Sequence, residues 1–494
     1  MPSTLGALDL IVLLLAVGLS IGIGLWLSGK NTSIEAYLLG DRSLPWWAIL
    51  GSIVATETST ATVLSVPGEG YGPTGMRFLQ MGFGYICGRW IVVQVLLPLY
   101  FRGALSSAYE VLGERFGEAT KRTGSLIFLV ARNLGDGLRL YLAASVLQLL
   151  VGWPLPFSAV VVGSVTILYT YFGGMRSVVW NDCIQFVIYM LGGIASLFVI
   201  AANIPGGWDS VWEYCQIHDK LQVIDFNWDA KYSFWGGLFG GAFLTIGTHG
   251  TDQMMVQRYL SARSRGDAGR ALLASGFVVL AQFALFLFIG VELAAYYSSP
   301  GAVAVPDKAD QVFAHFIINV FPRNTGLVGL MLAAIMSAAM STLSSSLNSS
   351  ASAVINDFVL PARKRAHREL SPAAGLQLTR WFAIGFGILQ ICIGIVARGF
   401  GDTVVSNALK IAGFSAGLIL GLFALGMFTR RVGQAAALTG CGGGFALLML
   451  AQFIGPRYDL VISVPWLALT GAVSTFVIGY MASWFWVDPS LAKS

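Results

Sequence analysis

The stretch from Gly329 to Asp357, GLMLAAIMSAAMSTLSSSLNSSASAVIND, decides how the rest of the chain is read. It opens as an apolar helix and becomes a ladder of hydroxyls, gaining no charge until its last residue. Ala338, Ser341, Thr342 and Ser345 recur at i, i+3, i+4 and i+7 and so share one helical face. Asn348, Ser349 and Ser352 prolong that face by a turn, and Ser344 lies to one side. A row of neutral oxygens in a low-dielectric helix suits a small hard cation, which needs several oxygens in place of its water. Close packing of small residues explains the same ladder, because Ser and Thr can bond back to their own helix. Partners elsewhere in the chain have to decide between the two.

The surroundings are those of a membrane. Of 494 residues, 56% are hydrophobic and 11% charged, where a soluble domain carries roughly 25% charge. Thirteen apolar runs approach the ~20 residues that span a bilayer. They cover 6–28, 46–67, 75–101, 122–150, 156–174, 178–203, 232–250, 270–296, 324–350, 374–397, 403–428, 434–454 and 462–486. The first lacks a basic leader and a small-residue cleavage site, so it reads as a helix and not as a signal peptide. Nineteen of the 30 basic residues, Lys30, Arg363, Lys364, Arg365 and Lys493 among them, fall in segments on one side. Six, including Arg323 and Arg398, fall on the other. That bias places the N-terminus outside and the C-terminus inside. The five cysteines are scattered without a CxxC and suggest neither a disulfide framework nor a metal site. No basic tract argues for nucleic acid.

Two runs look broken. In the second, Ala55-Thr56-Glu57-Thr58-Ser59-Thr60 interrupts apolar sequence ahead of Pro67-Gly68. In the seventh, Gly236-Gly237, Gly240-Gly241 and the segment Thr245 to Gly250 read the same way. These are the first spans of two successive five-span blocks, and an odd count per block inverts the second block in the membrane. Broken helices at matching positions of inverted repeats mark a transport site at the midplane. The outer loop 297–323 contains DKADQVFAHFIINVF, which reads as an amphipathic surface helix.

Few charges lie within the spans, and intramembrane ionisable groups are functional candidates. Glu57 sits in the broken segment, where it can attract a cation, bind solute or form an ion pair. Asp182 lies at the start of the sixth run, where hydration at a membrane end and a second cation site are both open. Arg132, Asp136 and Arg139 stand at i, i+4 and i+7, which allows structural pairing. Two arginines against one acid also leave a positive charge for a solute carboxylate. His249 reads as structural ahead of a proton carrier, and Arg258 as structural or gate-forming.

These residues resemble the solute:sodium symporter family. The matching pieces are Asp41-Arg42 with Trp46-Trp47, Ala55 through Pro67, Ser107-Ala108-Tyr109-Glu110 and Glu114-Arg115-Phe116. They continue with Tyr171-Phe172-Gly173-Gly174, Trp180-Asn181-Asp182, Val256-Gln257-Arg258-Tyr259 and Ser341 through Ser349, in order along essentially the whole chain. The resemblance implies an all-α polytopic membrane protein with the leucine-transporter-type 5+5 inverted repeat: one transmembrane domain over 1–494, repeats at about 46–203 and 232–428, and extra helices at 6–28, 434–454 and 462–486. It implies Na⁺ as coupling ion, bound by backbone carbonyls of Ala55, Thr58 and Ala338 and hydroxyls of Ser341 and Thr342. The chain is most similar in look to bacterial sialic acid/sodium symporters, some of which have a second sodium site. That site maps to Asp182, Ser341, Ser344 and Ser345. Sodium/proline permeases carry an acid where Glu57 sits, and the sialic acid transporters do not.

The expectation is therefore a Na⁺-coupled symporter of a bacterial inner membrane, working as a monomer and not an enzyme. It imports a small polar solute by alternating access, with a carboxylate such as sialic acid favoured. Thr56, Glu57, Ser59, Thr60, Thr62, Gln80 and Arg139 are the candidate solute contacts. A neutral sugar or amino acid, or proton coupling through Glu57 or Asp182, are the alternatives. Two sodium ions falling through 100 mV would supply roughly 4.6 kcal/mol.

Overall fold

The computed structural model describes residues 5–486 apart from 30–32, 103–104, 229, 307, 369, 398–403, 459–461 and 463. Lys30, Arg398 and Lys493 of the charge count lie outside the described residues. Among those described, the chain is helical, with one isolated parallel bridge between Leu44 and Ala262. The main helices are α1 (Ala7–Ser28), α2 (Trp46–Glu57), α3 (Thr60–Tyr71), α4 (Met81–Ile91), α5 (Glu118–Val151), α6 (Leu155–Ala202) and α7 (Gly241–Gly250). They continue with α8 (Gln253–Leu260), α9 (Arg265–Tyr297), α10 (Leu327–Val354), α11 (Pro372–Val396), α12 (Val404–Phe428), α13 (Gln434–Phe453) and α14 (Leu467–Ala482).

Eight stretches are long and apolar enough to cross a bilayer, or nine when the bent pair α2–α3 counts as one. The thirteen runs expected from sequence include some that fail so plain a test for physical reasons. Helix α5 carries Arg132, Asp136 and Arg139 in its middle, and α14 has only 16 residues. Helix α6 has 48 residues, a length of about 72 Å against a hydrocarbon core of ~30 Å. It is kinked at Gly174, whose φ of 59° and ψ of −161° disfavour any β-carbon, and one would stand 2.7 Å from the Tyr37 carbonyl oxygen.

The hydroxyl-rich stretch forms the central helix. In its most apolar window 89% of α10 is buried, against 17% for α1 at the periphery. Helix α10 packs on α6, α1, α5 and α11 and meets both halves of the bent pair. The residues of DKADQVFAHFIINVF form a helix over Val312–Asn319. Its apolar residues Val312, Phe313, Phe316 and Ile317 are buried against the protein, while Asn319 at its end is exposed. The seventh run also departs from expectation. Gly236–Gly240 form a π-helical turn that continues into α7 without interruption. The break comes at Thr251-Asp252, where Asp252 leaves helical geometry and caps α8 by accepting from the Met254 N–H at 2.8 Å.

Candidate functional site

Helix α2 stops at Glu57 because Thr58 (φ −79°, ψ 96°) and Ser59 (φ −92°, ψ 171°) turn extended before α3 restarts, leaving the halves bent by 62°. The last turn of any helix has carbonyls without intrahelical donors, and here they face α10. Thr342 Oγ1 donates to the Thr56 carbonyl at 3.3 Å and to the Ala338 carbonyl at 3.2 Å, so two backbone oxygens from different helices converge on one hydroxyl. Ala55 and Ala338 are fully buried. The Thr58 hydroxyl bonds back to the Val54 carbonyl at 2.8 Å and accepts from Gln282 Nε2 at 2.5 Å, which leaves its own carbonyl as the coordinating candidate.

Asp182 on α6 is fully buried, out of contact with bulk solvent. Its Oδ1 accepts from Ser341 Oγ at 2.6 Å, and its Oδ2 from Ser52 Oγ at 2.5 Å, Thr56 Oγ1 at 3.3 Å and Arg258 Nη2 at 3.2 Å. Arg258, on α8, is equally buried and donates further to Ser52 Oγ, the Met254 carbonyl, Thr56 Oγ1 and Ser345 Oγ. The four residues expected at a second cation site are thus only partly together. Asp182 and Ser341 touch, Ser345 is reached through Arg258, and Ser344 Oγ bonds its own helix at the Ser341 carbonyl. The cation among these oxygens is a guanidinium from the chain itself.

A cavity of about 200 Å³ is lined by Thr56, Glu57, Ser59 and Thr62 together with Arg132 and Arg139. Thr60 and Gln80 do not line it. Among the described residues the Thr60 hydroxyl is buried without a partner, and Gln80 spends its amide on the Arg77 and Tyr232 carbonyls and the Asp225 N–H, tying down the loop after α6. Glu57 forms an ion pair, as one of its three readings allowed. Its Oε2 meets Arg89 Nη2 and stands 3.4 Å from His249 Nε2. His249 Nε2 also lies 3.2 Å from Arg89 Nη2, and its Nδ1 lies 3.1 Å from Thr248 Oγ1. Of the arginines lining the cavity, Arg139 pairs with Asp136, and Arg132 binds Asp252 Oδ2 at 2.6 Å with Asp136 at 3.8 Å. The spare positive charge expected on α5 is therefore offset: a second acid comes from the cap of α8. Arg89, Asp252 and Gln282 were not singled out as site residues. Arg89 alone offered a signal, as a charge inside a span.

Comparison with known proteins agrees with this frame. The model of the family described as "Sodium:solute symporter family" matches residues 37–444. The chain is 32% identical to the rabbit sodium-dependent multivitamin transporter over 92% of its own length and 71% of that protein's. It is 30% identical to the human sodium/iodide cotransporter over 90% of its length and 69% of that protein's, and 29% identical to the mouse sodium-coupled monocarboxylate transporter 2 over 89% and 71%. Its fold is similar to that of a Na⁺-coupled sialic acid symporter in a substrate-bound outward-open state, with a TM-score of 0.85 at 24% identity over 98% of both chains. It is more distantly similar to the nucleobase-cation-symport-1 transporter MHP1, with a TM-score of 0.61 at 13% identity over 92% of this chain and 94% of that one. With the broken helices, the buried oxygen cluster and a family match over most of its length, the chain belongs to the sodium:solute symporter family and is a multi-pass membrane protein that couples solute movement to Na⁺.

Proposed function

We propose that this symporter imports a small organic carboxylate, with Na⁺ held between the broken end of α2 and the hydroxyl face of α10. The observation that carries the sodium assignment is the convergence of the Thr56 and Ala338 carbonyls on Thr342 Oγ1. A sodium ion replacing these hydrogen bonds, with the Thr342 O–H turned away and its oxygen lone pair towards the ion, would take the carbonyls of Ala55, Thr58 and Ala338 with the hydroxyl oxygens of Ser341 and Thr342. The carboxylate reading rests on Arg139 and Arg132 facing the cavity from α5, and two of the relatives are named for iodide and for monocarboxylates. Thr56, Ser59 and Thr62 add hydroxyl-bearing side chains to the lining of the same cavity.

A second sodium ion at Asp182, Ser341, Ser344 and Ser345 belongs to the same proposal and requires Arg258 to withdraw from Asp182. The full arrangement is thirteen spans in two inverted repeats, N-terminus out and C-terminus in, acting as a monomer in a bacterial inner membrane. The test is solute uptake by the purified protein in liposomes, screened with organic acids, neutral sugars and amino acids under a Na⁺ gradient and under a K⁺ gradient. Na⁺-dependent uptake of an acid that Arg139→Gln weakens supports the reading. Uptake driven by pH and indifferent to Na⁺ overturns it in favour of proton coupling.

A further inference from the structure

Glu292, in the half of α9 that ends at Tyr297, is fully buried and does not line the cavity. Among the described residues neither of its oxygens has a hydrogen-bond partner and no cation pairs with it. Phe288, one turn earlier on the same face of α9, meets the short helix Trp208–Ile217, stacking on Trp208 at 6.4 Å and packing on Trp212 at 5.8 Å. The buried Cys215 of that helix lies within electrostatic reach of both Glu292 and Lys220. Lys220 is spent elsewhere: its Nζ donates to the carbonyls of Tyr71 at 2.8 Å and Gly72 at 2.6 Å, where α3 ends. The other charged groups on elements packed against α9 are engaged as well. Glu69 pairs with Lys231, Arg77 with Asp225, Glu57 with Arg89 and Asp182 with Arg258, while His315 Nδ1 lies 2.9 Å from Tyr297 Oη. Asp209 and Glu213 are exposed. An ionised carboxylate without donor or counter-charge in such a place is costly, and the neutral acid costs far less.

We propose that Glu292 is a proton-binding site: its carboxyl group is in the acid form while the helix Trp208–Ile217 is docked on α9, and loss of that proton undocks the helix. Ionisation calls for water or a cation at the carboxylate, which has to enter between α9 and that helix. Lys220 ties the segment to the end of α3, both through its Nζ and through its carbonyl, which accepts from the Met76 N–H at 3.0 Å. Undocking therefore loosens a strut of the broken span, whose restarted half carries Thr62 at the cavity. The proton is a ligand of the fold, separate from the solute and from Na⁺.

The sign of the effect follows from linkage. An unfolded glutamate gives up its proton near pH ~4.3, so above that pH the folded state binds more protons than the unfolded one and stability falls as pH rises. His315, which burial holds below the usual imidazole range, contributes a slope of the opposite sign. The test is thermal unfolding of the natural protein, Glu292→Gln and Glu292→Leu from about pH 5 to about pH 9, with hydrogen exchange of residues 208–217 at the alkaline end. The natural midpoint should fall with pH, and both variants should lose most of that fall. At about pH 9 the amides of 208–217 should exchange at least about tenfold faster in the natural protein than in Glu292→Gln, the same pH cancelling the intrinsic rate. A natural midpoint that does not fall overturns the proposal without any variant. A fall that persists in both variants, or exchange of 208–217 that is equal in the natural protein and Glu292→Gln, overturns it too.

Discussion

At the scale of single residues, Asp182 shows how a buried charge changes the meaning of a mutation. From sequence, Asp182→Ala is a clean deletion of a sodium ligand. In the structure Asp182 is the ionic partner of Arg258, and both are buried. Removing one member of such a pair strands the other, at a cost of about 3–5 kcal/mol. Asp182→Ala should therefore lower the unfolding temperature sharply even without sodium, and Asp182→Ala with Arg258→Met should recover most of the loss. Unfolding of both variants in detergent, in Na⁺ and in K⁺, separates the two roles. If the double variant remains as unstable as the single, the pair is not the structural unit described here. Thr342 is the opposite case, because among the described residues its hydroxyl bonds to the carbonyls of Thr56 and Ala338 and to no charged group. Thr342→Ser keeps the oxygen and should keep the stabilisation by Na⁺. Thr342→Ala should lose it, with a much smaller effect in K⁺. Equal Na⁺ responses from both variants would remove Thr342 from the cation site.

At the scale of elements, the restarted half of the broken helix is held by contact of backbones. Helix α3 lies on α9 so closely that a β-carbon on Gly290 would stand 1.9 Å from the Pro67 carbonyl oxygen, and one on Gly70 would stand 2.1 Å from that of Leu287. Small residues allow this approach where no hydrophobic drive separates lipid from helix. Gly290→Ala forces the helices apart and should cost at least the 1–3 kcal/mol, roughly, of an overpacked core. It should also weaken solute binding, because α3 carries Thr62 on the cavity wall. An unfolding scan and a solute titration on this variant check both, and an unchanged midpoint would mean that the crossing is slack. How much of this was legible in sequence depended on range. The hydroxyl ladder and the break after Glu57 are local patterns, and both are present. The motif pieces Trp47 and Trp180 meet edge to face at 5.1 Å. The pairings were not legible, because Glu57 finds Arg89 on another helix and Arg132 finds Asp252 120 residues away. Nor was the break at Thr251-Asp252, since the glycines before it permit irregular backbone without requiring it. The π turn and α7 show that they stay helical.

For the whole molecule, internal pairing sets what crosses the membrane. Glu57 with Arg89, Asp136 with Arg139, Asp252 with Arg132 and Asp182 with Arg258 leave the region around the cavity close to neutral before anything binds. The charge carried per cycle is then that of the cargo alone. Two sodium ions with a neutral solute would draw roughly 4.6 kcal/mol from 100 mV, but a carboxylate returns one charge. Two sodium ions with a monocarboxylate move a single net charge, worth ~2.3 kcal/mol at 100 mV or roughly fiftyfold accumulation. One sodium ion with the same acid moves none. Proteoliposomes with a fixed Na⁺ gradient and a potassium diffusion potential separate these cases. If Asp182 and its serines hold a second ion while Arg258 withdraws, uptake of an acid should rise when the inside is made negative. In the stabilised Asp182→Ala/Arg258→Met background, the potential dependence should disappear while Na⁺ dependence remains. Uptake indifferent to potential in the natural protein would mean that Arg258 never leaves Asp182 and that the internal cation stands permanently in place of the second sodium ion.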